Sequence, residues 1–467
     1  MRSSFSNHPL LPQDSSSQAT NANSRTRIRR WWLLPLTACL ILFLASCSLL
    51  NGGDNDQAAT PSPSPTQFAN ADNSAATPGS AEANQTSSQE TIRLIVWTIP
   101  EISPRTEVRG GSFLAEQFST YDINKAQVNL EVLYKATSGQ GSILSYLRAG
   151  RGVADTVMPD LILLPSDQLA SAAEQQLIFP LNDLLPPDAL TDLYPAALGL
   201  GTVDGRLMGY PYAINSLAHL AYHSNIITGT LPSVWTGLVE TNTTFAYPVS
   251  GPAGGALALQ FYLAEGGSLV NDAGQTSLQL DQLTEAFSEL DQGHNNGLFP
   301  TLSYGYTSLA EAWSLFVNGQ AEITLTVAED FLAHRNDVTD AAFAPIPGPN
   351  GSLDPLIKGW VWAITTADPI RQAQAIDLIM ELTSTDNLSS WSQQSNYLPA
   401  SRSALARWNQ DAYIIFLANQ LEQAAAFPAR ADSAVISALS TATFDLFSGT
   451  VTTPEAAANN AFSKVRP

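Results

Sequence analysis

Cysteine is almost absent. The 467-residue chain has two, Cys39 and Cys47, and both fall in one N-terminal apolar stretch. No disulfide or thiolate metal site can therefore form in the rest of the chain. Positive charge is also scarce, with 21 Lys and Arg against 42 Asp and Glu and a formal net charge of -21. Such a balance lacks the basic footprint that neutralises phosphates, which argues against nucleic acid as a partner and reads as an acidic, solvated surface. Catalytic signatures are missing too: there is no nucleophile elbow, zincin helix, Walker loop or dinucleotide fingerprint. His219 and His223 are four apart, but their surroundings read as a strand, where that spacing leaves side chains ~13 Å apart rather than chelating. No metal and no cofactor are expected. What the chain does have is 44% hydrophobic residues, enough for buried cores in two or three domains.

The N-terminus carries an address. Arg25, Arg27, Arg29 and Arg30 precede the apolar run Trp31 to Leu44, which ends at Ala45, Ser46 and Cys47. That is the order of a secretory signal. Leu44-Ala45-Ser46-Cys47 resembles the bacterial lipobox, in which the cysteine becomes the lipidated first residue, so residues 1–46 read as a lipoprotein signal peptide. An uncleaved anchor of ~20 residues is the competing reading. Both readings place the body outside the cytoplasmic membrane, because the arginines stay inside. Removal of residues 1–46 leaves a net charge of -25. Residues 47–90, rich in Ser, Pro and Ala and without Lys or Arg, read as a disordered tether that buries too little apolar surface to offset chain entropy.

From Thr91 the pattern alternates. Strands are expected at Ile92 to Trp97, Val128 to Tyr134 and Asp160 to Leu164, and helices at Gly111 to Tyr121 and Ile143 to Ala149. That order suggests a largely parallel sheet covered by helices, with a site beyond the carboxyl ends of the strands. A second series follows between Tyr222 and Phe343, with helices at Gly255 to Glu265, Leu280 to Gln292 and Leu309 to Asn318 and strands at Phe245 to Tyr247 and Glu322 to Thr326. The remainder is mostly helical.

Several segments, in order, resemble family 1 extracellular solute-binding proteins of ABC transporters, the maltose-binding-protein-like group. They are Asp204 to Ser216 (DGRLMGYPYAINS), Pro232-Ser233-Val234-Trp235, Leu263 to Ser268, Trp313 to Ala321, Lys358 to Ile364 (KGWVWAI) and Tyr397 to Arg402 (YLPASR). The resemblance implies an α/β, two-lobed periplasmic-binding-protein-like fold (type II) with discontinuous lobes and the ligand in the cleft between them. Lobe 1 is expected at 91–213 plus 362–408 and lobe 2 at 218–357 plus 412–467, with crossings near 214–217, 355–361 and 406–412.

A sugar offers hydroxyls at its edges and C–H groups on its faces, so its site needs aromatic platforms and short polar side chains. The resemblance places Trp97 and Glu101 in a ligand loop, although Trp97 also reads as a core cap and Glu101 as a solvated acid. Ser166 and Asp167 match a position where family members set a carboxylate on sugar hydroxyls. Either residue equally suits an N-cap for a helix from Gln168 to Gln175. Asn215 falls at a crossing, and the Gly254 and Gly255 amides open a helix that can face ligand or form a plain turn. Trp360, beside Gly359, is the leading aromatic candidate. Glu329 stands where some sugar binders stack an aromatic, a departure from maltose-like stacking. Trp313 reads as helix packing.

The resulting expectation is a monomeric, lipid-anchored extracytoplasmic protein, not an enzyme, that delivers a carbohydrate or related polar solute to a membrane-embedded ABC permease. The rival readings are a secreted glycoside hydrolase and a cell-surface receptor.

Overall fold

The computed structural model describes residues 91–150, 152, 157–271 and 273–465. The signal peptide, Cys47 and the tether lie outside the described residues.

Two sheets organise the body. The larger has seven strands, six of them in the order Leu398–Pro399, Tyr210–Asn215, Leu356–Ile364, Leu161–Pro165, Ile92–Thr98 and Val128–Tyr134, with Ala425–Ala426 joining at the start of Leu356–Ile364. Ile92–Thr98 pairs in parallel with Val128–Tyr134 over its whole length and with Leu161–Pro165. Leu161–Leu164 is at most 1% exposed, as expected of a continuous apolar run buried on both faces. Helix Gly111–Asn124 buries Leu114, Phe118 and Tyr121, one face at helical spacing.

Beyond that first part the sheet is mixed, and only Ala425–Ala426, against the start of Leu356–Ile364, adds another parallel pair. Leu356–Ile364 runs antiparallel to Leu161–Pro165 and to Tyr210–Asn215. The reason is topological: this strand enters from the second sheet at the edge where Ile92–Thr98, Leu161–Pro165 and Tyr210–Asn215 end, so it must run the opposite way. That shared edge gathers Thr98, Pro165, Asn215 and the start of the return strand.

The smaller sheet has the order Ala341–Ala344, Ala218–His223, Ile323–Val327 and Phe245–Ala246. The chain reaches it directly from Asn215 through Ser216 and the fully buried Leu217. Val327 sits opposite Ala218, so Ile323–Val327 ends at the crossing. Phe245–Ala246 runs parallel to it and leads into helix Pro252–Ala264.

Two large hydrophobic clusters fill the body. One, with Trp362, Trp391 and Tyr212, lies around the larger sheet; the other, with Trp235, Phe245, Phe261 and Phe447, lies around the smaller one. Helix Ala412–Gln423 reaches across: Tyr413 belongs to the first cluster, and its hydroxyl lies 2.8 Å from Nε2 of His219 on the smaller sheet. Helix Ser433–Phe447 then packs in the second cluster.

Candidate functional site

The strand-end edge of the larger sheet carries most of the sequence candidates. Trp97 is 4% exposed, its ring edge meets Tyr146 at 6.0 Å, and its buried Nε1 has no acceptor. Lys135 Nζ lies 5.1 Å from the Trp97 ring centroid. Glu101 is exposed and accepts from Thr137 Oγ1 at 2.9 Å.

Neither Ser166 nor Asp167 is an N-cap. They form a short 3-10 turn ahead of helix Leu169–Glu174, whose first residues receive no side-chain cap. Ser166 Oγ instead accepts from the Gly359 N–H at 3.3 Å, tying the return strand to the end of Leu161–Pro165. Asp167 is exposed.

Trp360 is 7% exposed and meets the Tyr397 ring at 4.5 Å and 64°. Asn215 pairs opposite Lys358 and Ala213 opposite Trp360, so Asn215, Lys358 and Trp360 project from one face of the sheet. Asn215 Oδ1 is buried without a donor.

Across the crossing, Glu329 lies in the first turn of helix Ala328–His334 and accepts from the Ser216 N–H at 3.0 Å. Ser216 holds a positive φ of 63°, a left-handed conformation that favours glycine. Burial pushes the Glu329 carboxyl up to about 7, against the pull of the Ser216 amide and the charge of Arg109. Burial also raises the Tyr397 hydroxyl, helped by the negative field of Glu329. Arg109, Glu329, Asp330 and Tyr397 thus share one electrostatic neighbourhood.

Gly254 and Gly255 answer to packing. A Cβ on Gly254 would lie 2.5 Å from the carbonyl oxygens of Pro248 and Val249, and one on Gly255 would lie 2.3 Å from that of Ile436. Helix Pro252–Ala264 does border a cavity of about 180 Å3 at the crossing, through Pro252, Ala253, Leu257 and Gln260. Ser216, Lys358 and Phe427 close its other side. A larger hollow, about 320 Å3, lies under the turn Pro349 to Asp354 and shares Gln260 and Leu356 with it.

His219 and His223 are both engaged locally. His219 packs among Phe331, Tyr413 and Phe416, and His223 Nδ1 lies 3.1 Å from Asp340. Trp313 packs near Phe316 and Phe331.

Sequence reasoning missed Arg109, Ser216, Gln260, Lys358, Tyr397 and Phe427 as site residues. Ser216, Lys358 and Tyr397 stood inside segments that carried the family resemblance, and no local pattern marks the other three.

Residues 122–416, well over half of the chain, match the family of bacterial extracellular solute-binding proteins. The chain belongs to that family. This solute-binding protein has the two-lobed fold of solved relatives. A cyclic α-maltosyl-1,6-maltose binding protein from Arthrobacter globiformis is 18% identical, with a TM-score of 0.65 over 80% of this chain and 98% of that one. The sugar-binding protein MalE from Xanthomonas citri is 17% identical, with a TM-score of 0.65 over 80% and 96%. MalE from Listeria monocytogenes, solved with maltose, is 17% identical, with a TM-score of 0.63 over 80% and 96%. No curated protein matches the sequence at a significant level. Among the described residues, no helix of the solute-binding protein is long and apolar enough to cross a membrane.

Proposed function

We propose that the chain is the lipid-anchored, extracytoplasmic receptor of an ABC importer, which captures a carbohydrate or related polar solute between its lobes and delivers it to a membrane permease. The observation that carries the reading is the crossing itself. A cavity bounded by Ser216 and Lys358 of the crossing strands and by helix Pro252–Ala264 lies beside a strand edge bearing Trp360, Tyr397, Asn215 and Ser166. Aromatic rings next to amides, a hydroxyl and carboxylates suit a ligand with C–H faces and hydroxyl edges.

In this reading the lobes are 91–213 with 362–408 and 218–357 with 412–467, joined near 214–217, 355–361 and 406–412. Cys47 carries the lipid, and residues 47–90 tether the body to the membrane. Contacts from both lobes favour closure, because only a ligand that binds the closed form better than the open one shifts the balance. Trp97, Glu101, Asp167, Glu329 and the Gly254 and Gly255 amides are further proposed contacts.

The test is a thermal-shift screen of the mature protein against sugars and polyols, since a ligand that binds only the folded state raises its melting temperature. For a ligand so found, Trp360→Ala weakens binding by about 1 to 3 kcal/mol, in line with buried aromatic anchors. Unchanged affinity removes Trp360 from the site, and turnover of an oligosaccharide overturns the receptor reading.

A further inference from the structure

We propose that the cavity at the crossing takes a hydroxylated anion, a sugar or polyol that bears a carboxylate or phosphate, with its negative group on Lys358. This rests on the solute-binding reading above and names the class of solute.

Lys358 is the one charged residue among those that line the cavity. Its ammonium sits 4.1 Å over the Phe427 ring centroid, and none of its ion pairs with a carboxylate falls within 4.0 Å among the described residues. An ammonium that meets an aromatic ring but no carboxylate, on a hollow otherwise lined by uncharged residues, offers a place for a ligand's negative group.

The cavity supplies a second polar feature. Gln260 is 6% exposed and uses its Nε2 on the Asp354 carbonyl at 3.2 Å, which leaves its Oε1 with no donor although the residue lines the cavity. A free acceptor there suits a ligand hydroxyl. Leu257 and Ala253 offer an apolar wall for C–H groups. Helix Pro252–Ala264, which borders the same space, has no acid in its first turn and no side-chain cap, so its terminal field also favours negative charge.

Asp354, four residues before Lys358, borders the adjoining hollow, and Glu329, two residues past the cavity-lining Val327, is turned onto the Ser216 amide. Its elevated pKa leaves it partly protonated at neutral pH, which lowers its repulsion of an anion.

The experiment is calorimetric titration of the mature protein with matched sets: glucose, glucuronate and glucose 6-phosphate; galactose, galacturonate and galactose 6-phosphate; glycerol, glycerate and glycerol 3-phosphate. Glucosamine serves as the cationic control, and inorganic phosphate reports the phosphate group alone. At least one acidic member is expected to bind tenfold or more tighter than its neutral parent, and the carboxylate and phosphate arms tell which anion is preferred. Lys358→Met removes that gap while the ligand-free melting temperature stays within a few degrees, and Lys358→Arg retains most of it. A neutral member binding as tightly as its acids, or a gap that survives Lys358→Met, overturns the anion assignment and leaves the receptor reading standing. Absence of binding across these sets and across the wider sugar screen sinks both.

Discussion

Replacing Glu329 by glutamine isolates the cost of a buried carboxylate at the crossing. The carboxyl rises from 4.5 to about 7 on folding, driven by burial. A shift of that size disfavours the folded, ionised state by about 3 kcal/mol, an upper bound because part of the side chain is open to water. The sign follows from proton binding. Below pH 4.5 the group is protonated in both states and costs nothing. Between 4.5 and 7 the folded chain holds the proton that the unfolded chain has released, so stability falls as pH rises; above 7 the deficit is constant. Glutamine is neutral throughout and keeps a carbonyl to accept from the Ser216 N–H, whose preference for a charged acceptor is already contained in the net rise. Glu329→Gln should therefore exceed the parent by less than about 1 kcal/mol at pH 5 and by up to about 3 kcal/mol at pH 8. Urea unfolding of the ligand-free protein, followed by tryptophan fluorescence at pH 5, 6, 7 and 8, gives the difference directly. A difference that is flat or shrinks with pH refutes the reasoning.

Two further outcomes are expected. His219 is fully buried, and burial lowers its pKa from 6.5 to about 4, so its contribution is complete above pH 6.5 and is lost as pH falls towards 4. Its ring proton resonances should show no titration above pH 5, and a midpoint near 6.5 contradicts the placement. Gly255→Ala puts a methyl 2.3 Å from the Ile436 carbonyl oxygen and should lower stability by about 1 to 3 kcal/mol in thermal unfolding, as overpacking does. An unchanged melting temperature shows that the helix has room to shift.

Local pattern carried much of the fold into the sequence. The strand Leu161–Pro165 was legible because an uninterrupted apolar run has one use at that length, and helix Gly111–Asn124 because Leu114, Phe118 and Tyr121 recur on one face. The antiparallel return of Leu356–Ile364 was not legible, since direction within a sheet depends on where a strand enters, not on its composition. The same limit applies to the site. Ser166 looked like a cap, but its hydroxyl accepts from Gly359, nearly two hundred residues away in sequence. Gly254 and Gly255 lie in the first turn of helix Pro252–Ala264, and their need for glycine was not legible because it rests on the facing carbonyls of Pro248, Val249 and Ile436. The cavity at Lys358 joins Gln260 and Phe427 from distant helices and loops, and no window of sequence contains all three.

Small-angle X-ray scattering of the mature protein, with and without a saturating amount of a ligand that raises its melting temperature, tests closure of two lobes around a solute most directly. A smaller radius of gyration in the bound state is the predicted result. A bound protein with the same radius of gyration as the free one contradicts it.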